Sequence, residues 1–119
     1  MRVLIACLLL ATPALAQTAP TPEEAAAFTG LHQAAHDGDV AAIRTLIADG
    51  ATLEAKDDRD RTPLLVAAYA SQDAALAALA EAGADMNAQD VQGYDAVTIA
   101  AVADDPELMS LALSLGNRP

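Results

Sequence analysis

Few side chains in this 119-residue chain could do chemistry. His32 and His36 stand four apart, a spacing that on one helix can bring two imidazoles to a metal, with Asp37 and Asp39 nearby in sequence. The same spacing arises when one histidine serves packing and the other lies in solvent, and that is the preferred reading. Asp57-Asp58-Arg59-Asp60 crowds three carboxylates together, but the turn glycine and closing glutamate of a calcium loop are missing, so a solvated, partly self-neutralised turn is expected. Ser71 has no histidine close to it in sequence, and there is no Gly-x-Ser-x-Gly elbow and no glycine-rich phosphate cradle. The residues therefore predict no enzyme, no cofactor and no resident metal.

The balance of 6 basic against 17 acidic side chains gives a formal charge of −11. No basic stripe is available to neutralise phosphates, so nucleic acid and anionic membrane surfaces are poor partners, and a polar or partly basic protein surface fits better. The chain is long enough for one domain. A 54% apolar content with 3% aromatics and a surplus of alanine predicts close-packed helices, since alanine loses no rotamer entropy and lets helix axes approach.

Met1-Arg2, the apolar run Val3 to Leu10 and the small-x-small sequence Ala14-Leu15-Ala16 have the layout of a secretory signal peptide cut after Ala16. The apolar stretch is too short for a membrane span of about 20 residues. Residues 1–16 are thus expected to be a leader, 17–21 a short linker and 22–119 the folded domain. Cleavage removes Cys7 and Arg2, which leaves five basic against 17 acidic groups, a charge of −12, and no cysteine. The expected destination is the periplasm or the exterior, with no membrane contact after the leader is removed.

A period of 33 organises the elements: it aligns Gly50, Gly83 and Gly116, and likewise Leu31, Leu64 and Val97. Units of about 24–56, 57–89 and 90–119 follow, the last one incomplete. Each reads as two short helices and an extended turn. Thr62-Pro63 and Asp95 supply helix caps, and Ala34-Ala35, Ala67-Ala68 and Ala100-Ala101 recur where neighbouring units must approach closely. The second helices carry buried stripes of Ile43, Leu46 and Ile47, then Leu76 and Leu79, then Met109, Ala112 and Leu113. Gly50, Gly83 and Gly116 are expected to end them in the left-handed conformation.

Thr62-Pro63-Leu64 followed by Ala67-Ala68, and then Gly83-Ala84-Asp85-Met86-Asn87-Ala88, resembles the ankyrin repeat, as does Thr29-Gly30-Leu31-His32. The resemblance covers about residues 24–116. It implies an all-α repeat solenoid: a stack of about three helix-turn-helix units with short hairpin fingers, whose concave face binds other proteins. Leu65 and Thr98 replace the family's histidine, so the threonine-to-histidine tie is missing from units two and three. Asp60 and Ala27 stand in place of the turn glycine, which predicts that the second finger, with Gly93, is the better formed.

Carried onto this chain, the family's contact positions fall on Asp58, Arg59, Arg61 and Tyr69, then on Val91, Gln92, Tyr94 and Val102, with Phe28, His36 and Asp37 in unit one. Tyrosine is enriched at binding hot spots, and Tyr69 is the strongest single candidate. The resemblance thus implies an exported bacterial type of scaffold that binds another protein. Other readings are a stress-protection or accessory factor for a periplasmic enzyme, or a metal carrier using His32 and His36. At the two ends, Thr21-Pro22-Glu23-Glu24 has the pattern of a capping box and predicts a short helix covering the open end of the stack. The last helix, with Leu108, Met109, Leu111, Leu113 and Leu115, has no polar outer face. It predicts a fragment of a longer array, or self-association through the C-terminal face.

Overall fold

In the computed structural model, residues 19–116 are described. The expected leader, residues 1–16, and the first two residues of the linker lie outside them. Seven helices follow in order: α1 (Pro22–Ala27), α2 (Gly30–Asp37), α3 (Val40–Ala48), α4 (Pro63–Tyr69), α5 (Asp73–Glu81), α6 (Ala96–Val102) and α7 (Pro106–Gly116). No strand occurs among the described residues.

Local chemistry explains where the helices begin. The Thr62 hydroxyl accepts from Leu65 N–H at 3.3 Å, and the Asp95 carboxylate accepts from Thr98 N–H at 2.9 Å. Asp39 and Asp105 cap the second helices of units one and three in the same way, through Ala42 N–H at 3.0 Å and Leu108 N–H at 3.1 Å. Gln72 occupies the corresponding place in unit two but does not cap α5. Its Nε2 instead donates to the His36 carbonyl of the preceding unit at 3.0 Å.

The period extends to backbone conformation. Gly38, Ser71 and Asp104, each 33 apart, all have positive φ, at 72°, 55° and 58°, where the chain turns from the first helix of a unit to the second. Only the first of these is a glycine, so composition gave no sign of the series. Gly50 and Gly83 follow their helices with positive φ as expected, but Gly116 lacks a positive φ and is itself part of α7.

Packing follows the units. α2, α4 and α6 lie side by side in one row, α3, α5 and α7 in a second, and each first helix also packs on its own second helix. The centre of the stack is unit two, where Leu64, Leu65, Val66, Ala67, Ala68, Leu76 and Leu79 are all essentially inaccessible. Each such leucine stabilises the fold by about 2 kcal/mol relative to an exposed one. In unit three the buried face of α7 is Leu108 and Ala112, with Met109 half-buried. Leu113, expected in that stripe, is instead 45% exposed, one position past the Leu108 and Ala112 line that faces the stack.

The capping box of α1 is present: Thr21 Oγ1 accepts from Glu24 N–H and Glu24 Oε1 accepts from Thr21 N–H, both at 3.1 Å. Its expected position needs correction. α1 buries none of its residues and does not cover the open end of the helix rows. Shifted by 33, it falls on the fingers of units two and three, and it is tied to the first finger through Glu24.

Candidate functional site

The two fingers are turns organised by an aspartate each. In the first, Asp57 Oδ1 accepts from Arg59 N–H and Arg61 N–H, both at 2.9 Å, and Asp57 N–H donates to the Arg61 carbonyl at 3.1 Å. In the second, Asp90 Oδ1 accepts from Gln92 N–H at 2.9 Å and Tyr94 N–H at 3.1 Å, and Asp90 N–H donates to the Tyr94 carbonyl at 3.1 Å. The first finger is therefore closed as fully as the second, contrary to the sequence expectation. Asp60 adopts φ 60° where Gly93 adopts 84°, and aspartate is among the residues that tolerate this region. Val91 N–H then donates to the Arg59 carbonyl at 3.0 Å and joins the fingers.

The second oxygen of each aspartate faces a different partner. Asp90 Oδ2 accepts the hydroxyl of Tyr69, which reaches across from the end of α4. Asp57 Oδ2 accepts Arg61 Nε at 2.7 Å. Glu24, at the same register position in unit one, takes Arg61 Nη2 at 3.1 Å and lies 3.8 Å from Arg59 Nε. The hydrogen bond from Thr21 N–H holds the Glu24 carboxyl below its usual range, against some desolvation and with help from Arg61 and Arg59. Burial pushes the Asp57 carboxyl up, but the hydrogen bonds from Arg61 and Arg59 outweigh it, so the net direction is also down.

This arrangement corrects one contact position. Arg61, expected at a finger tip, is 2% exposed and its guanidinium lies 5.9 Å from the centre of the Phe28 ring. A buried guanidinium requires acceptors for its donors, and Asp57 and Glu24 supply them. The other contact positions remain accessible to different degrees. Asp58, Arg59, Val91 and Val102 are exposed, the last two at 53% and 66%. Tyr69, Gln92 and Tyr94 are half-buried, and both tyrosines pack on the core. Tyr69 is thus partly accessible while its hydroxyl is engaged.

In unit one, His36 is half-buried, its Nδ1 is 3.5 Å from Asp37 Oδ1, and its ring meets that of Phe28 edge-on at 6.0 Å. Asp37 is exposed. His32 donates from Nε2 to the Arg61 carbonyl at 2.8 Å, so this histidine joins unit one to the next finger, whereas Thr29 makes no side-chain capping bond. Among the described residues no three histidine, cysteine, aspartate or glutamate side chains gather in a group able to hold a metal ion. Nor is any helix among them long and apolar enough to cross a membrane. The finger aspartates were not singled out as functional from sequence, although their identity at a spacing of 33 was the available signal.

The helix pairs, the fingers projecting from them and the recurring left-handed turns define a solenoid of helix-turn-helix repeats. A family model for ankyrin repeats in three copies matches residues 5–90, and the chain belongs to that family. The third helix pair lies beyond the matched region but repeats the geometry of the other two. None of the curated proteins compared with the chain matches it. Ankyrin repeats commonly mediate protein–protein interaction, and the family is typically a non-enzymatic scaffold.

Proposed function

We propose that this protein is an exported scaffold that binds another protein through the surface formed by the finger tips and the ends of the first helices, without chemistry of its own. The observation that carries the reading is the exposure of Val91 and Val102, two of the three large apolar side chains left open among the described residues. Val91 adjoins Asp90, to which Tyr69 is bonded, and Val102 occupies the register position of Tyr69 one unit further on. Exposed apolar side chains here, with Asp58, Asp60 and Asp104 exposed in the same turns, suit a partner segment with apolar side chains and basic neighbours, and the net negative charge would steer such a partner.

Export rests on Arg2, the apolar run from Val3 and the Ala14-Leu15-Ala16 sequence. In this reading the mature chain begins at Gln17 and acts in the periplasm or outside the cell. N-terminal sequencing of the secreted or periplasmic protein tests the cut: a chain still beginning at Met1 removes this part of the reading. A pull-down from periplasm with the wild type, Tyr69→Ala/Tyr94→Ala and Val102→Asp tests the surface. Recovery of the same proteins at the same yield by all three would refute binding there.

A further inference from the structure

An open groove lies at the start of the stack, lined by none of the finger residues. Gly30, Ala34, Ala42 and Leu46 form the floor of this groove of about 400 Å³ between α2 and α3. Adding 33 to their numbers gives Pro63, Ala67, Ala75 and Leu79, all buried, and adding 33 again gives Ala96, Ala100, Ala112 for Leu46 and Leu108 for Ala42, also buried. In units two and three these positions are covered by the helix pair of the preceding unit, through the packing of α2 on α4 and α3 on α5, then of α4 on α6 and α5 on α7. The groove in unit one is the same helix-receiving face, and α1 leaves it open because it lies over the first finger.

Its rim carries two more carboxylates than that of unit two and one more than that of unit three, where Asp105 matches Asp39 and Ala103 stands in place of Asp37. Asp37 and Asp39 replace Ala70 and Gln72 of unit two, exposed Gln33 replaces buried Val66, and none of the described lining residues is basic. We infer that this groove is a docking site for a cationic amphipathic helix of a partner protein, small apolar side chains seated on Ala34, Ala42 and Leu46 and lysine or arginine side chains against Asp37 and Asp39. The helical form follows from what covers this face elsewhere in the molecule, and the cationic flank from the two carboxylates.

The test uses a fluorescein-labelled 16-residue peptide with leucine and alanine on one helical face and lysine on the other, and a counterpart with glutamate for lysine. Anisotropy and the gain in peptide helicity are read with the full chain and with residues 17–119. Gln33→Lys and Asp37→Lys alter exposed side chains and leave the fold intact, and Ala74→Lys on the exposed side of α5 matches the charge change of Gln33→Lys away from the groove. The expected result is saturable binding of the lysine peptide with increased helicity, a loss of about tenfold in affinity for each groove variant, the scale of one well-placed interface residue, and none for Ala74→Lys. The glutamate peptide should not bind. Equal affinity of all variants would overturn the site. Two further results would assign the groove to another occupant and overturn the proposal: a dimer in sedimentation that Gln33→Lys dissociates, or peptide binding by residues 17–119 that the full chain lacks. Failure of the peptide to bind leaves the finger surface untouched, since Val102→Asp is read separately by pull-down.

Discussion

The hydroxyl of Tyr69, at the end of α4, donates to the carboxylate of Asp90, which in turn receives two backbone N–H groups of the second finger. One side chain of unit two thereby braces the second finger, at the start of unit three. A proposed contact position and a structural support coincide in the same residue, so its two roles must be separated by substitution.

Tyr69→Phe keeps the ring and removes the donor. It is expected to lower stability by about 1.5–3 kcal/mol, the range for a hydrogen bond to a charged group, as read from urea denaturation. If the exposed ring is what the partner touches, Tyr69→Phe should retain binding once folded and Tyr69→Ala should lose it.

Arg61→Met removes the cation that joins Asp57, Glu24 and Phe28 but retains most of the volume. The loss should be about 3 kcal/mol, because the half-buried Asp57 keeps its charge without that partner. Arg59→Met, at an exposed side chain 3.8 Å from Glu24, should cost less than about 1 kcal/mol. Equal effects from the two would contradict the burial-based ranking.

Acid should weaken the first finger and α1 together. The folded-state pKa values of Glu24 and Asp57 both lie below their ordinary values. Their contribution is therefore fully present above the ordinary carboxylate range and declines as pH falls through the lower folded-state values. Denaturation midpoints followed downward from neutral pH should drop in that acidic window, and by less in a Glu24→Gln/Asp57→Asn variant. A midpoint that rises on acidification would give the wrong sign.

Asp60→Gly tests the strain of the first finger. The residue sits at φ 60°, and a glycine there avoids the steric cost of the left-handed region. A gain of up to about 1 kcal/mol is expected after the greater freedom of glycine in the unfolded chain is counted. Thermal unfolding measures it.

Gly38→Ala should do the reverse. Its φ is 72°, and an added Cβ would run into the Gln72 side chain, whose amide donates to the His36 carbonyl. The expected cost is about 1–2 kcal/mol for the backbone conformation alone. Removing the collision with Gln72→Ala should recover only the smaller, side-chain part in a double-mutant cycle.

The repeat was legible in sequence because it was written in residue types that have few alternatives: Thr62-Pro63 as a cap, the paired alanines as close contacts, Gly50 and Gly83 as helix ends. Much of the rest depended on the third dimension. Ser71 and Asp104 adopt the conformation of Gly38 because packing on both sides dictates the turn, and neither residue type signals it. Arg61 is placed at a finger tip by its register in the repeat, and its burial becomes visible only with Glu24, 37 residues earlier, beside it. The capping box of α1 could be read locally, but the place where α1 docks could not, since that depends on the same distant pair.

The reversals at Gly38, Ser71 and Asp104 make changes of length quantised. Excision of residues 57–89 as a single block would join one reversal to the interval that its successor already has, and every surviving helix would meet a neighbour of the kind it meets now. Excision of a few residues more or fewer would rotate the helices after the cut away from their partners, so such a chain can grow or shrink across generations only in whole steps.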